Sequence, residues 1–271
     1  MNDLHQTVEI AVNAGKLLID YASRIDRVQV DCKSATRDLV TAADLASEKY
    51  IIEQLSKHFP QSSFWSEETH SQDDGAKVQW CIDPLDGTVN FVQGLPMYAV
   101  SIARLVDKEV NLAVVYIPEL GQCFSASAEQ QTQLNGSDVF VGNKESLDEA
   151  VLATGFPYRR HVLNDNNLEN FNRLFLNQRG IRRMGAAAVD LAYVACSRLD
   201  AFWELHLSPW DVAAGAYLVQ RAGGTVDTIV SGGDWLAGRN IVAGNSGLVS
   251  SLQQQLLVGR DNSYPDLGES G

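Results

Sequence analysis

Apolar positions along the chain fall into two regimes. Leu4, Val8, Ala11, Gly15 and Leu18 recur at the three- and four-residue spacing that lays one stripe along a helix. A second helix is predicted from about 41 to 58: Leu45, Tyr50, Ile51, Ile52 and Leu55 supply apolar surface, Thr41 or Asp44 caps the start, and Pro60 follows the end. The pattern then shortens to strands. Trp80-Cys81-Ile82 is an apolar run expected to close at Asp83-Pro84, because proline inside a central strand removes a ladder donor. Segments 99–106 and 110–117 read as strands joined by a hairpin at Asp107-Lys108-Glu109, and 123–126 as a further strand. A polar stretch at 143–149 divides an N-terminal half, 1–145, from a C-terminal half, 146–259, in which strand signals at 151–154, 200–205 and 240–243 alternate with helical ones at 168–176, 187–196, 210–222 and 248–257. Helix 210–222 is the clearest, opened by Pro209 and stopped by Gly223-Gly224, which suits a left-handed C-terminal cap. The polar tail, 260–271, is expected to be disordered. The fold class is mixed α+β, antiparallel early and alternating later.

A chain of 271 residues can bury a core without disulfides or a structural metal. Its 21 Lys+Arg against 34 Asp+Glu give a net charge of −13, which argues against nucleic acid or an anionic membrane surface as the main partner. The four cysteines, Cys32, Cys81, Cys123 and Cys196, form no C-x-x-C pair and suit a reducing compartment. The start lacks a basic and apolar leader and no apolar run reaches bilayer length, so a cytoplasmic protein is expected. Asn135-Gly136-Ser137 fits a glycosylation sequon but reads as a turn.

Acidic residues gather around Asp83-Pro84-Leu85-Asp86-Gly87-Thr88, where two carboxylates stand three residues apart at the end of an apolar run. Glu67-Glu68 follows another apolar pair, and Trp210-Asp211 opens the strongest helix. Brought together, such carboxylates repel by about 4 kcal/mol per close pair at an effective dielectric of 20, a cost that a hard divalent cation such as Mg²⁺ removes. Taken singly, Asp211 reads first as a helix cap, whereas the Asp83–Asp86 pair reads as more than a turn. The spacing Asp83-x-x-Asp86-Gly-Thr is one residue longer than the D-x-D-G-T of phosphatases that form an aspartyl-phosphate. Neither a P-loop nor a G-x-S-x-G elbow is present.

The segment WCIDPLDGTVNFVQGLPMYAVSIA resembles the first signature of the inositol monophosphatase family, D-P-[IL]-D-G-T-x-N-F, and WDVAAGAYLVQRAGG resembles the second, W-D-x-x-A-[GA]. KSATRDLVTAAD and SEET are similar to two shorter family segments, in family order, over about residues 5–250. The resemblance implies a layered αβαβα sandwich, a homodimer, and lithium-sensitive, Mg²⁺-dependent hydrolysis of a small phosphate monoester with two to three ions per site. It places one metal on Glu67, Asp83 and the Leu85 carbonyl, a second on Asp83, Asp86 and Asp211, and a third, looser one on Glu67. It rests the phosphate on the backbone N–H groups of Gly87 and Thr88. Thr88, oriented by Asp44 and assisted by Glu67, would handle the attacking water, and Lys33 would stand at the mouth. Two metals roughly 3.5–4 Å apart suit in-line displacement, and their charge makes an acidic cleft attractive to phosphate.

Selectivity falls on Glu204, seven residues before Asp211, at the family position that contacts substrate hydroxyls, and on the small-residue segment Gly185-Ala186-Ala187. Glu204 is otherwise a surface acid at a strand end. Arg182 and Arg183 could approach the second half of a substrate but read first as surface or subunit-interface residues, His206 as structural, and Phe202-Trp203 as core. His5, His58, His70 and His161 are given no role. The segment TVDTIVSGGDWLAGRN, with Trp235, departs from the Gly/Pro-rich loop of many family members. The substrate expected is a phosphorylated polyol or sugar, inositol monophosphate first. Fructose 1,6-bisphosphate, histidinol phosphate and 3′-phosphoadenosine phosphate are alternatives within the fold, and a regulatory role with transcription machinery is the alternative outside it.

Overall fold

The computed structural model describes residues 2–24, 31–32, 39–40, 42–69, 76–176, 178–237, 239–261 and 263–268. In chain order these form α1 (Asp3–Arg24), β1 (Asp31–Cys32), β2 (Leu39–Val40), α2 (Ala42–His58), β3 (Ser63–Ser66), β4 (Val78–Asp86), α3 (Thr88–Gln93), β5 (Ala99–Val106), β6 (Glu109–Ile117), β7 (Gln122–Ser127), β8 (Gln133–Leu134) and β9 (Ser137–Asp138). There follow β10 (Val151–Thr154), α4 (Leu168–Leu174), β11 (Gly180–Arg182), α5 (Ala187–Ala195), β12 (Ala201–Leu205), α6 (Pro209–Arg221), β13 (Thr225–Asp227), β14 (Asn240–Gly244) and α7 (Ser246–Leu257). Strands β3 to β9 make one sheet in chain order, parallel between β3 and β4 and antiparallel elsewhere. A second sheet has the order β11-β10-β12-β14-β13, with β10 parallel to both its neighbours. β1 and β2 pair as a short antiparallel ribbon.

Side-chain alternation along the strands sorts the apolar residues into three cores and thereby stacks the layers. Trp80, Ile82, Val100, Ile102, Leu112 and Val114 face α1 and α2, meeting Leu18, Ile51 and Leu55. Their neighbours Cys81, Ala103, Ala113 and Val115 point the other way, onto Leu191, Val194, Val212 and Leu218 of α5 and α6. The far side of that helix pair rests on Ala153, Phe202, Ile241 and Ala243 of the second sheet. Leu152, Trp203, Leu205 and Val242 cover that sheet's outer face with Leu248, Leu252 and Leu256 of α7 and Leu174 of α4. The result is the αβαβα sandwich that the resemblance implies. The core between the first sheet and α5–α6 joins residues from both sides of the polar stretch at 143–149. Phe202 and Trp203, read as core, are fully buried.

Two expectations need correction. Pro84 does not end its strand: β4 continues to Asp86, and its register against β5 slips between Asp83 and Asp86. The irregularity accommodates the missing N–H of Pro84, whose carbonyl accepts a 3.0 Å hydrogen bond from Ser47. The described part of the tail is docked rather than loose. Tyr264 is buried in the outer core, Leu267 packs beside it, and Arg260 lies 4.2 Å over the Tyr264 ring while pairing with Asp165 and Glu169. Tyr264 and Leu267 are apolar anchors that the polar count of the tail conceals.

Candidate active site

The parallel pairing of β3 and β4 matches Ser66 with Ile82, so the next residues, Glu67 just past β3 and Asp83 within β4, stand side by side. The Glu67 N–H donates to the Ile82 carbonyl, which fixes the exit of the chain there. Asp83 is 2% exposed and spends one carboxylate oxygen on the Leu85 N–H at 3.0 Å. Asp86, beyond the slip in register, accepts a 2.7 Å hydrogen bond from the N–H of Ala188 at the start of α5. Asp211, in the first turn of α6, accepts from the Ser208 N–H at 2.7 Å. It is therefore a helix cap and a member of the cluster at once.

These four acids and Glu204 line one cavity of about 380 Å³. Gly87, at φ +90°, turns the chain from β4 into α3, and a Cβ there would press on the Met97 carbonyl at 2.9 Å. Gly87 and Thr88 both reach the cavity. The Thr88 hydroxyl lies 3.2 Å from the Leu85 carbonyl and 3.5 Å from Asp44, which is buried in the first turn of α2. Asn90 donates to the carbonyls of Met97 and Met184, tying α3 to the segment that delivers Gly185, Ala186 and Ala187 to the wall. Lys33 and Thr41 lie outside the described residues.

Burial and crowding push every one of these carboxyls up. Glu67 and Asp83 rise well above the ordinary range, first through desolvation and then through neighbouring acids, and they share a hydrogen bond with each other. Asp86 rises to about 7 through burial and Asp211, against the opposing pull of the N–H groups of Ala188, Ala187 and Val189. Asp211 rises to about 6 through burial. Glu204 reaches about 8 through burial and Asp211, with Arg183 pulling it back.

Among the described residues no three His, Cys, Asp or Glu side chains stand grouped as a metal site. The donor set nevertheless fits a hard cation. The carboxylates and the Leu85 carbonyl are all-oxygen donors, and Glu67 and Asp83 already stand close enough to share a proton whose place a cation can take. Water and a bound anion complete such a shell for Mg²⁺.

The model of the inositol monophosphatase family matches residues 2–259. The chain belongs to that family. Among its relatives it is 42% identical over 262 residues to Nus factor SuhB of Pseudomonas aeruginosa, covering 93% of this chain and 96% of that one. It is 39% identical to Nus factor SuhB of Escherichia coli, over 92% and 95% of the two chains. Among solved structures, the inositol monophosphatase of Anabaena (Nostoc) superposes with a TM-score of 0.85 at 36% identity, over 94% of this chain and 95% of that one. The Thermotoga maritima IMPase gives 0.86 at 30%, over 94% and 97%.

The family motifs leave several residues of the cavity unannounced. Asp190 of α5 is 1% exposed, reaches the wall beside Glu204, and has an oxygen, Oδ1, without a hydrogen-bond partner among the described residues. Its only sequence signal is a lone acid inside the apolar run AAAVDLAYVA. Glu48 is buried under the site and accepts the Glu68 N–H at 2.9 Å. Arg183, read as a surface or interface residue, is exposed but also lines the cavity, whereas Arg182 does not. His206 reaches the wall too, held by the Asp165 carbonyl at 2.6 Å, in keeping with a structural role.

Proposed function

We propose that the chain is a Mg²⁺-dependent phosphatase of small phosphate monoesters, with a phosphorylated polyol or sugar as substrate and inositol monophosphate as the first to test. The observation that carries this reading is the convergence of Glu67, Asp83, Asp86 and Asp211, all pushed toward protonation, in one cavity. With the Leu85 carbonyl they hold two to three ions, which supply Lewis acidity and the positive charge that an anionic substrate needs in an acidic cleft. The backbone N–H groups of Gly87 and Thr88 receive phosphate oxygens. Thr88, oriented by Asp44 and assisted by Glu67, positions or deprotonates the attacking water. Ala187 contributes backbone groups to the substrate, Glu204 accepts its hydroxyls, and Lys33 adds positive charge at the mouth. The enzyme works as a cytoplasmic homodimer.

The test is phosphate release from inositol 1-phosphate, fructose 1,6-bisphosphate, histidinol phosphate and 3′-phosphoadenosine 5′-phosphate with Mg²⁺, with and without lithium. Lithium-sensitive turnover that Asp86→Asn abolishes is expected. An Asp86→Asn variant as active as the wild type refutes the assignment. The relatives named Nus factor favour a second reading, a regulatory protein that works with transcription machinery. Co-purification of RNA polymerase components that persists in Asp86→Asn, with no turnover of any ester by the wild type, would favour it.

A further inference from the structure

Glu204 owes its position to a buried hydrogen-bond hub outside the cavity. Asn167, 2% exposed and held at φ +72°, uses both amide protons and its carbonyl oxygen on the surroundings of Glu204. Its Nδ2 donates to the Gly155 carbonyl at 2.7 Å and to the Thr154 hydroxyl at 2.8 Å. Its Oδ1 accepts from Trp203 Nε1 at 2.9 Å and from Asn170 at 3.0 Å. Trp203 precedes Glu204 on β12, and its carbonyl receives the Thr154 hydroxyl at 2.7 Å. Gly155 touches Glu204 from the other side: a Cβ there would collide with both carboxylate oxygens. One side chain thus fixes the residue before Glu204 and the backbone on which its carboxylate rests. Asn170 extends the hub to the Tyr264 hydroxyl in the docked tail.

From this geometry we infer that Asn167 is a positioning residue for substrate recognition, acting through Gly155 and Trp203 to hold the Glu204 carboxylate where a substrate hydroxyl meets it. Its amide group is fully used, so its loss leaves Trp203 Nε1 and the Gly155 carbonyl buried and unpaired and frees the wall to shift. The inference rests on the reading of Glu204 as the hydroxyl acceptor. It predicts a penalty confined to substrates with hydroxyls to recognise.

The test compares inositol 1-phosphate with p-nitrophenyl phosphate, whose leaving group presents no hydroxyl to Glu204. Asn167→Gly removes the side chain without straining a positive-φ position, and Asn167→Asp keeps the acceptors for Trp203 and Asn170 while losing both donations, to the Gly155 carbonyl and the Thr154 hydroxyl. Asn167→Gly is expected to raise KM for inositol 1-phosphate roughly tenfold, about the worth of one good hydrogen bond, with kcat within about twofold. For p-nitrophenyl phosphate both constants stay within about twofold, and Asn167→Asp falls between the wild type and Asn167→Gly. A merely structural loss would lower turnover of both esters in parallel. Parallel loss, or unchanged KM for inositol 1-phosphate in both variants, overturns the inference and leaves the phosphatase reading standing. A wild type that hydrolyses neither ester overturns both. Should Asn167→Gly fail to fold, the Asn167→Asp comparison decides alone.

Discussion

Replacing Asp86 by asparagine separates the two roles of its charge, because it should strengthen the metal-free fold while destroying the metal site. Asp86 is 8% exposed, and burial with Asp211 lifts its carboxyl from 3.8 to about 7. An acid with a folded pKa above its unfolded one holds a proton in the folded state that the unfolded chain has released. Stability therefore falls as pH rises from about 4 to about 7, and the loss is complete above that window. Roughly three pH units at 1.36 kcal/mol each put the cost of the ionised carboxylate near 4 kcal/mol at pH 8, an upper limit once water enters the cavity. Asparagine keeps an acceptor for the Ala188 N–H and carries no charge, so Asp86→Asn should gain about 2 to 4 kcal/mol at pH 8 in EDTA and about 1 to 1.5 kcal/mol at pH 5.

Magnesium should narrow that lead and cancel its lower end. An ion at about a hundred times its dissociation constant adds about 2.7 kcal/mol to the wild type and little to a variant that lacks the ligand. Urea unfolding followed by tryptophan fluorescence, at pH 5 and pH 8 with EDTA or Mg²⁺, reads all four conditions. If Asp86→Asn is the less stable protein at pH 8 in EDTA, by the same margin as at pH 5, then the N–H groups of α5 already satisfy the charge. The case for a cation at this residue would then fail.

Two further outcomes test the packing that holds the site. In Gly215→Ala the new Cβ meets Leu191 Cβ at 2.6 Å across the α5–α6 contact. The overpacking should cost about 1 to 3 kcal/mol, seen as a thermal midpoint lower by roughly 3 °C per kcal/mol; an unchanged midpoint would show that the middle layer has slack. Tyr264→Ala removes a buried ring, the acceptor of the Asn170 amide and the seat of Arg260, and should cost about 2 to 4 kcal/mol. Limited proteolysis should then cut the tail first, and resistance equal to the wild type would refute its docking.

What the sequence discloses follows from how local each constraint is. Asp83, Asp86, Gly87 and Thr88 sit in one contiguous run, so their turn chemistry and shared destination are visible as a motif, and the helix opened by Pro209 carries Asp211 with it. Asp190 and Glu48 leave no such mark. Asp190 is the lone acid of α5 and Glu48 one of three on α2, and only tertiary packing determines that they are buried rather than solvated. Pro84 misleads because the rule against proline in a strand assumes a regular ladder, whereas β4 slips its register at that point. The tail misleads because Tyr264 and Leu267 are few among polar neighbours, yet they find the outer core.

The placement of the site in the sandwich links metal affinity to the fold itself. Glu67 follows β3, Asp83 and Asp86 lie in the C-terminal part of β4, Asp211 opens α6, and Glu204 lies on β12, so the cavity draws on the first sheet, the middle helices and the second sheet. Neither sheet alone brings these carboxylates together; the middle layer does, and Asp86 is fastened to it through the Ala188 N–H. A cation bound there rewards the closed arrangement of both halves, so its binding free energy is also stabilisation of the interface between them. Without it, crowded and buried acids oppose that same closure. Changes that loosen the middle layer, Gly215→Ala among them, should therefore weaken Mg²⁺ binding although they touch no ligand. The reciprocal effect, a protective action of Mg²⁺ on that variant larger than zero but smaller than on the wild type, follows from the same linkage and can be read in the same urea titrations.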